Sequence, residues 1–453
     1  MQDLTSVDFL CLLEAEEKDW DWAIVWLEEK TERRLVLVDA LLPKIEHPQI
    51  KWRSIESPLQ IEPLAKQTAW EAVFLKMEIV GGKKESSQAF RKELGKAHLA
   101  ASLLLSDAAD CGASVAKHCF LRKHRPVRQG MKLAGAFTNI PAIIVGAGPS
   151  LEKNGHLLEA FRDQALILAG GSALNALQAE PHFTASVDRE APYRDFKRHP
   201  FSETPLCFQS RMNPDNFSLV HGEAILFPDS HFRFLNEGDW FDGGWTVGTF
   251  LVSLATLMGC DPIIFVGMDY CYQAGRKYAG GEGACPPNLV EATAKDGSKV
   301  WTQPDWLMAR KWMEEWAVKH PELRFFDATE GGLGFASPIR PVRLCAVEFE
   351  KKGDLREMVY QAIAALPLAP PMDWESWKAS LEKCGNIAKG ALLGRAEDFE
   401  GERVYERLLL PLWSMWSYVF MRALESDPHP DKLRLNRLLF FQQVIQEHLR
   451  AIE

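Results

Sequence analysis

Two glycine turns and two carboxylates are the residues of this chain whose types and spacing suit chemistry on a phosphorylated ligand. Pro141-Ala-Ile-Ile-Val-Gly-Ala-Gly-Pro-Ser-Leu151 is an apolar run that ends in a glycine-rich turn. Ala142 to Val145 reads as a fully buried strand, and Leu157, Leu158 and Phe161 follow the turn with helical spacing. A strand that feeds a turn and then a helix points free N–H groups, and the positive end of the helix dipole, at one spot where an anion can sit. Gly146 and Gly148 suit the tight turn and a close backbone approach, and the Ser150 hydroxyl, beyond Pro149, would add one bond. A dinucleotide fingerprint needs a third glycine where Leu151 stands, so neither NAD nor FAD is expected. A tight turn that holds no ligand is the structural alternative.

A second junction, Gly170-Gly171-Ser172-Ala173-Leu174-Asn175, has small residues for close approach, and Ser172 and Asn175 suit contacts to a base or ribose. Ser172 would equally serve as a helix N-cap. Asp188 ends a third strand and is followed by Arg189 and Glu190. A carboxylate there can hold a ribose hydroxyl, bind Mg²⁺, act as a base, or simply cap the next turn. Asp269, in Gly267-Met-Asp-Tyr-Cys-Tyr272, lies at another strand end beside Tyr270 and Tyr272 and before the glycine-rich Gly275–Gly283. That is the make-up of an active-site edge with a lid. Asp188 and Asp269 are thus the candidate catalytic pair, and the candidate Mg²⁺ ligands where a metal is used. Thr246 opens a long apolar helix after Gly243-Gly244, where it or Thr249 could contact the nucleotide, although close packing explains the glycines equally well, and Glu330 stands on the turn Thr329-Glu-Gly-Gly332. No histidine pairs convincingly with a carboxylate. Gly-x-Ser-x-Gly, His-Glu-x-x-His and P-loop patterns are all missing, which counts against hydrolase, zinc protease and P-loop ATPase readings.

The spelling Gly-Ala-Gly-Pro-Ser-Leu resembles the 6-hydroxymethylpterin diphosphokinase MptE-like domain, shared with the Maf (motility accessory factor) flagellin glycosyltransferases. Further matches follow in order: Gly170–Leu174, Phe183–Asp188, Gly244–Gly248, Gly259–Asp269, Asp296-Gly297 with Trp301-Thr302, and Ala328–Gly332. The resemblance covers roughly Ile140 to Gly334. It implies a Rossmann-like fold, a nucleotide in the cleft, Asp188 among the cleft residues, and Glu330 on a turn that closes over it. Bacterial sialyltransferases with a similar fold carry a Gly-x-Asp-x-Tyr stretch whose tyrosines touch the donor phosphate. By that resemblance Tyr270, Tyr272 or Tyr278 would do so here, whereas for any single tyrosine packing is the simpler reading.

The elements that must position these residues are legible as well. Short apolar strands alternate with amphipathic helices through the centre, which predicts an α/β, Rossmann-like, mostly parallel sheet covered on both faces. Strands are expected at Ala142–Val145, Leu166–Ala169, Phe183–Val187, Leu206–Gln209, Ala224–Phe227, Ile263–Val266 and Leu323–Phe326. Helices are expected around Gly155–Phe161, Ala173–Gln178, Val247–Met258 and Asp305–Lys319. Three domains follow: residues 1–86, small and α+β; 87–340, the Rossmann-like domain with leading helices; and 341–453, helical. In the first, Phe9–Glu14 reads as a helix, and Trp22–Trp26 and Arg34–Asp39 read as strands. Ala364–Met372 is Pro-rich, a linker or cap. An apolar stripe through Leu408, Leu409, Trp413, Trp416 and Phe420, then Leu433, Leu438, Phe441, Val444 and Leu449, reads as core or an oligomer interface.

The net charge of −10 argues against nucleic acid or an anionic membrane as partner. Nine scattered cysteines without a Cys-x-x-Cys pair argue against structural zinc or a disulfide framework. No apolar run spans a bilayer and no basic-then-apolar leader is evident, so a cytoplasmic location is expected. The leading reading is a nucleotide-dependent transferase. As a Maf-like glycosyltransferase it would take a nucleotide-sugar, such as a CMP-activated nonulosonic acid, and a protein or glycan acceptor. As a diphosphokinase it would take ATP, Mg²⁺ and a pterin alcohol. The rival is a non-catalytic binding or scaffold protein that keeps the core.

Overall fold

The computed structural model describes residues 4–30, 33–41, 47, 49–72, 76–99, 125–188, 201–229, 240–281, 289–370, 373–410, 412–413 and 430–452. The chain divides into two compact units, Met1–Gly112 with Glu375–Arg450, and Ala113–Trp374 with Ala451–Glu453.

The first unit contains a parallel sheet of β1 (Phe9–Leu13), β2 (Arg34–Val38), β3 (Ile50–Arg53) and β4 (Met77–Gly81), in the order β3-β2-β1-β4. Two sequence expectations are corrected here. Phe9–Leu13 is a central strand rather than a helix, because all five residues are buried and the two sheet faces claim alternate ones. Phe9, Cys11 and Leu13 pack on Ile61, Ala65 and Phe90; Leu10 and Leu12 pack on Ala23, Trp26 and Leu27. Trp22–Trp26 lies within the helix Glu17–Glu28 rather than in a strand. Only Ala23, Trp26 and Leu27 of that helix are buried, the i, i+3, i+4 spacing that a five-residue window is too short to reveal. Arg34–Val38 is a strand, as expected. The same unit carries the helices Trp374–Leu392 and Pro430–Ile452. Leu408, Leu409, Trp413, Leu438, Phe441 and Val444 of the predicted stripe are buried, while Trp416 and Phe420 lie outside the described residues.

The second unit is built on nine strands. They are β5 (Arg128–Gln129), β6 (Ala142–Val145), β7 (Leu166–Gly170), β8 (Phe183–Ser186), β9 (Leu206–Phe208), β10 (Ala224–Leu226), β11 (Ile263–Val266), β14 (Phe325–Asp327) and β15 (Arg340–Pro341). A separate hairpin pairs β12 (Val290–Thr293) with β13 (Lys299–Thr302). The sheet order is β15-β14-β11-β6-β7-β8-β9-β10-β5, and every neighbouring pair is parallel. Both faces are covered at the centre, which is why β6, β7, β9, β10 and β11 are apolar throughout. The helix Val247–Leu257 supplies most of one cover, with Met313 and Ala317 of Pro304–Lys319 and Leu355, Val359 and Ile363 of Leu355–Ala364 beside it.

The other face is covered by short pieces. At Gly155–Phe161 and Gly171–Asn175 the chain makes 3-10 turns where helices were expected around Gly155–Phe161 and Ala173–Gln178, with one α-helical turn at Leu151–Asn154. Residues 171–182 alone join β7 to β8, and so short a link leaves little room for a capped α-helix. The Pro-rich segment acts as a cap. Gln129 N–H donates to the Pro367 carbonyl at 3.0 Å and Ala369 N–H to the Val127 carbonyl at 2.8 Å, which covers the edge strand β5.

Phe183 is fully buried in β8, with its ring edge-on to Phe137 at 6.0 Å. Phe183→Ala is expected to destabilise the chain by about 3–5 kcal/mol. A urea midpoint equal to the parent's would contradict this packing.

Candidate functional site at the sheet's switch point

The winding of the sheet places the candidate site. From β6 the chain runs outward through β7, β8, β9 and β10, then returns to lay β11, β14 and β15 on the other side. The boundary between β6 and β11 is therefore where the order reverses, and ligands of open parallel sheets bind beyond the carboxyl ends of the strands at such a point. The Gly146–Ser150 turn leaves β6 there, and Gly267-Met268-Asp269 leaves β11.

These two turns bind each other. Gly146 N–H donates to the Val266 carbonyl and Gly148 N–H to the Gly267 carbonyl, both at 2.8 Å. Ser150 N–H donates to Asp269 Oδ2 at 2.8 Å, and the Ser150 hydroxyl donates to Asp269 Oδ1. A Cβ on Gly148 would lie 2.5 Å from the Asp269 carboxyl carbon, and one on Gly146 would lie 2.5 Å from the Gly267 carbonyl oxygen. Gly267 itself has φ +68°, open to glycine. The glycines thus make room for the neighbouring turn, and an aspartate carboxylate sits where the motif would otherwise present donors to a ligand anion. Pro149 and Ser150 are both buried.

Asp269 is 1 % exposed. Burial pushes its carboxyl above the usual range, while the two Ser150 bonds and the charges of Lys295 and Lys153 pull it back. The loop after β14 closes around it. Lys295 Nζ bonds Asp327 Oδ2 at 3.1 Å and the Thr329 carbonyl, and Lys153 Nζ donates to the Glu330 carbonyl at 2.7 Å. Met268 N–H donates to Thr329 Oγ1 at 3.1 Å and Leu333 N–H to the Asp269 carbonyl at 3.0 Å. The Glu330 side chain is half-buried.

Asp188 stands apart from this clamp. It is exposed, just past β8, and its carbonyl accepts from Asn213 N–H at 3.0 Å. β8 is three places from β11 in the sheet, about 14 Å at the usual strand spacing, so the two aspartates do not share one ion site. Among the described residues no three His, Cys, Asp or Glu side chains converge as a metal cage. Arg189 and Glu190 lie outside the described residues.

The remaining predicted residues divide between the cleft and the packing. Gly171 (φ +53°) and Ser172 are half-buried and Asn175 is exposed on the turn after β7; the preceding Gly170 is pressed on Val247, where a Cβ would meet Cγ1 at 2.5 Å. Thr246 caps the helix Val247–Leu257 in a reciprocal box with Thr249, N–H to Oγ1 at 2.8 and 3.2 Å. The Tyr270 hydroxyl lies 3.3 Å from the Met313 sulfur, and burial raises its phenol. Tyr272 is buried, stacked on Trp306 at 5.2 Å and bonded by Gln303 Nε2 at 2.6 Å. Tyr278 lies under Lys277 Nζ, 5.0 Å from the ring centre.

One cluster was missed. Gln209, Ser210 and Arg211 follow β9 directly and are buried, as is Asp229 after β10. Arg211 Nη2 lies 3.4 Å from Gln209 Oε1 and 3.3 Å from the Gly244 carbonyl, and its Nε lies 3.6 Å from Asp229 Oδ2. The signal was available: a polar triplet directly after an apolar strand is the same mark that singled out Asp188 and Asp269.

Residues 118–275 match the sequence profile of the family described as 6-hydroxymethylpterin diphosphokinase MptE-like. That stretch carries an MptE-like domain. A solved structure of a Maf glycosyltransferase from Magnetospirillum magneticum AMB-1 is similar to this chain, with a TM-score of 0.59 and 16% identity. The likeness covers 98% of this chain and 79% of that one, and at this identity it is a likeness of fold. No curated protein matches the chain. Among the described residues no helix is long and apolar enough to cross a membrane.

The clamp in the MptE-like domain has a pH signature. Because the Asp269 carboxyl is raised, its ionised form costs stability at neutral pH, and the cost is relieved as pH falls through the folded-state value. The Ser150 bonds favour the ionised form. Ser150→Ala should therefore cost about 1–3 kcal/mol at pH 7 and less in mild acid, read from urea denaturation at both. A loss that grows with acidity would contradict the assignment.

Proposed function

We propose that the chain is a nucleotide-dependent transferase, and that it transfers a sugar from a nucleotide-activated donor. The supporting observation is the extent of the likeness to the Maf glycosyltransferase, which takes in both units and not only the MptE-like domain. A small pterin acceptor gives no reason for so much additional chain, whereas a protein or glycan acceptor does. In this reading the donor lies beyond the carboxyl ends of β6 to β9. Gly171, Ser172 and Asn175 border its base or ribose, and the Asp269–Ser150 clamp fixes the floor. Asp188, the exposed carboxylate of the two, accepts a proton from the acceptor hydroxyl.

The family description favours a second reading, diphosphate transfer from ATP to a pterin alcohol. Thermal shifts with CMP, CTP, UDP, GDP, ADP and ATP, each with and without Mg²⁺, separate the two, since a ligand that binds only the folded state stabilises it. Stabilisation by CMP or UDP without a metal requirement is the expected result. Stabilisation by ATP that depends on Mg²⁺ would replace sugar transfer with diphosphate transfer, and silence throughout would leave a scaffold.

A further inference from the structure

Of the four N–H donors of the Gly146–Ser150 turn, all but that of Ala147 are engaged by the chain itself, so a ligand's anionic group needs a further receptor. Gly146, Gly148 and Ser150 N–H all donate to the β11 side, and Leu151 N–H donates to the Gly148 carbonyl at 3.0 Å. We propose that the segment Gln209-Ser210-Arg211, at the carboxyl end of β9, is the anion-binding subsite of the donor pocket. Its ligand is a phosphate oxygen of the nucleotide or a carboxylate of the sugar. The proposal rests on the transferase reading above and assigns the part of the site that reading leaves open.

Three observations carry it. Ser210 is 1 % exposed and its hydroxyl has no hydrogen-bond partner among the described residues. A buried hydroxyl left unmatched costs about 1–3 kcal/mol, so native structures keep one where a ligand or an ordered water completes it. Beside it in sequence stands a guanidinium only 7 % exposed, whose Nη2 contacts to Gln209 Oε1 and the Gly244 carbonyl are long, at 3.4 and 3.3 Å. Arginine matches phosphate and carboxylate geometry with paired N–H donors at about 2.7–2.9 Å, and an anionic oxygen displaces long neutral contacts. Asp229, fully buried 3.6 Å from Nε, is the positioning residue that holds the guanidinium in place.

The surroundings fit as well. The Asn213 N–H bond to the Asp188 carbonyl ties this loop to the end of β8, and the Gly244 contact ties it to the lead into Thr246. The subsite is thus bracketed by Asp188 and Thr246, two of the residues that the sequence marks for the pocket. Asn216, fully buried, reaches Ser186 at the end of β8 through Nδ2 at 3.4 Å, and its Oδ1 has no hydrogen-bond partner. Both of these unmatched buried polar atoms, on Ser210 and Asn216, therefore lie with the guanidinium on the connection from β9 to β10.

The test compares full-length variants by calorimetric titration with CMP, cytidine, inorganic pyrophosphate, and a nonulosonic acid beside its methyl ester. Arg211→Gln should lose the preference for CMP over cytidine by about 10- to 100-fold, with partial recovery in Arg211→Lys. Loss of the preference for the free sugar acid over its ester would instead make the carboxylate the anion. Because Arg211→Gln strips Asp229 of its counter-ion and can unfold the chain, Ser210→Ala is the second variant. It removes a hydroxyl without a partner, so the free protein should be no less stable, yet anion binding should weaken about 3- to 10-fold.

If CMP binds and both variants keep the parental preference, the subsite is wrong and the transferase reading stands. If pyrophosphate binds in an Arg211-dependent way while no nucleotide is preferred, the subsite stands and the reading falls. Absence of any anion binding by the parent protein overturns both.

Discussion

A buried carboxylate joins the two sides of the central sheet at the one place where its winding reverses. Strands on either side of a switch point diverge beyond their ends, and here that opening is floored by Asp269, which receives a backbone N–H and a hydroxyl from Ser150. Everything near the site follows from that bond pair. Gly146 and Gly148 must be glycine because the β11 turn lies against them, and the turn of the β12–β13 hairpin brings Lys295 to the same charge. Charge-assisted bonds in a dry setting are strong, and a bare carboxylate at this depth would be costly, so each turn depends on the other.

The clamp also redistributes roles. A turn that looks built to cradle phosphate spends three of its four N–H donors internally, and the tyrosines beside Asp269 serve packing: Tyr270 against Met313 and Phe335, Tyr272 against Trp306. In the function proposed above, chemistry on a ligand is left to the carboxyl ends of β7, β8 and β9, where Ser172, Asp188 and Arg211 stand.

Much of this was legible in the sequence. Strands buried on both faces are continuous apolar runs, so β6, β8 and β11 could be placed within a residue or so, and glycines and aspartates at their ends marked the cleft. What could not be read is which partner a polar group finds. Ser150 and Asp269 lie 119 residues apart, and nothing local says that they bond each other. Short windows failed for the same reason at Phe9–Leu13 and Trp22–Trp26, where the period that separates strand from helix needs more residues than the window held. Gln209-Ser210-Arg211 was overlooked because a polar triplet after a strand also reads as an ordinary loop, and only its burial sets it apart.

The most direct test of the clamp is a double-mutant cycle of Ser150→Ala and Asp269→Asn, with unfolding free energies measured at neutral pH. The account predicts a coupling of about 1–3 kcal/mol between the two positions. Additivity within about 0.5 kcal/mol would mean that the two side chains act independently, and the first turn would again be open to hold a ligand's anion.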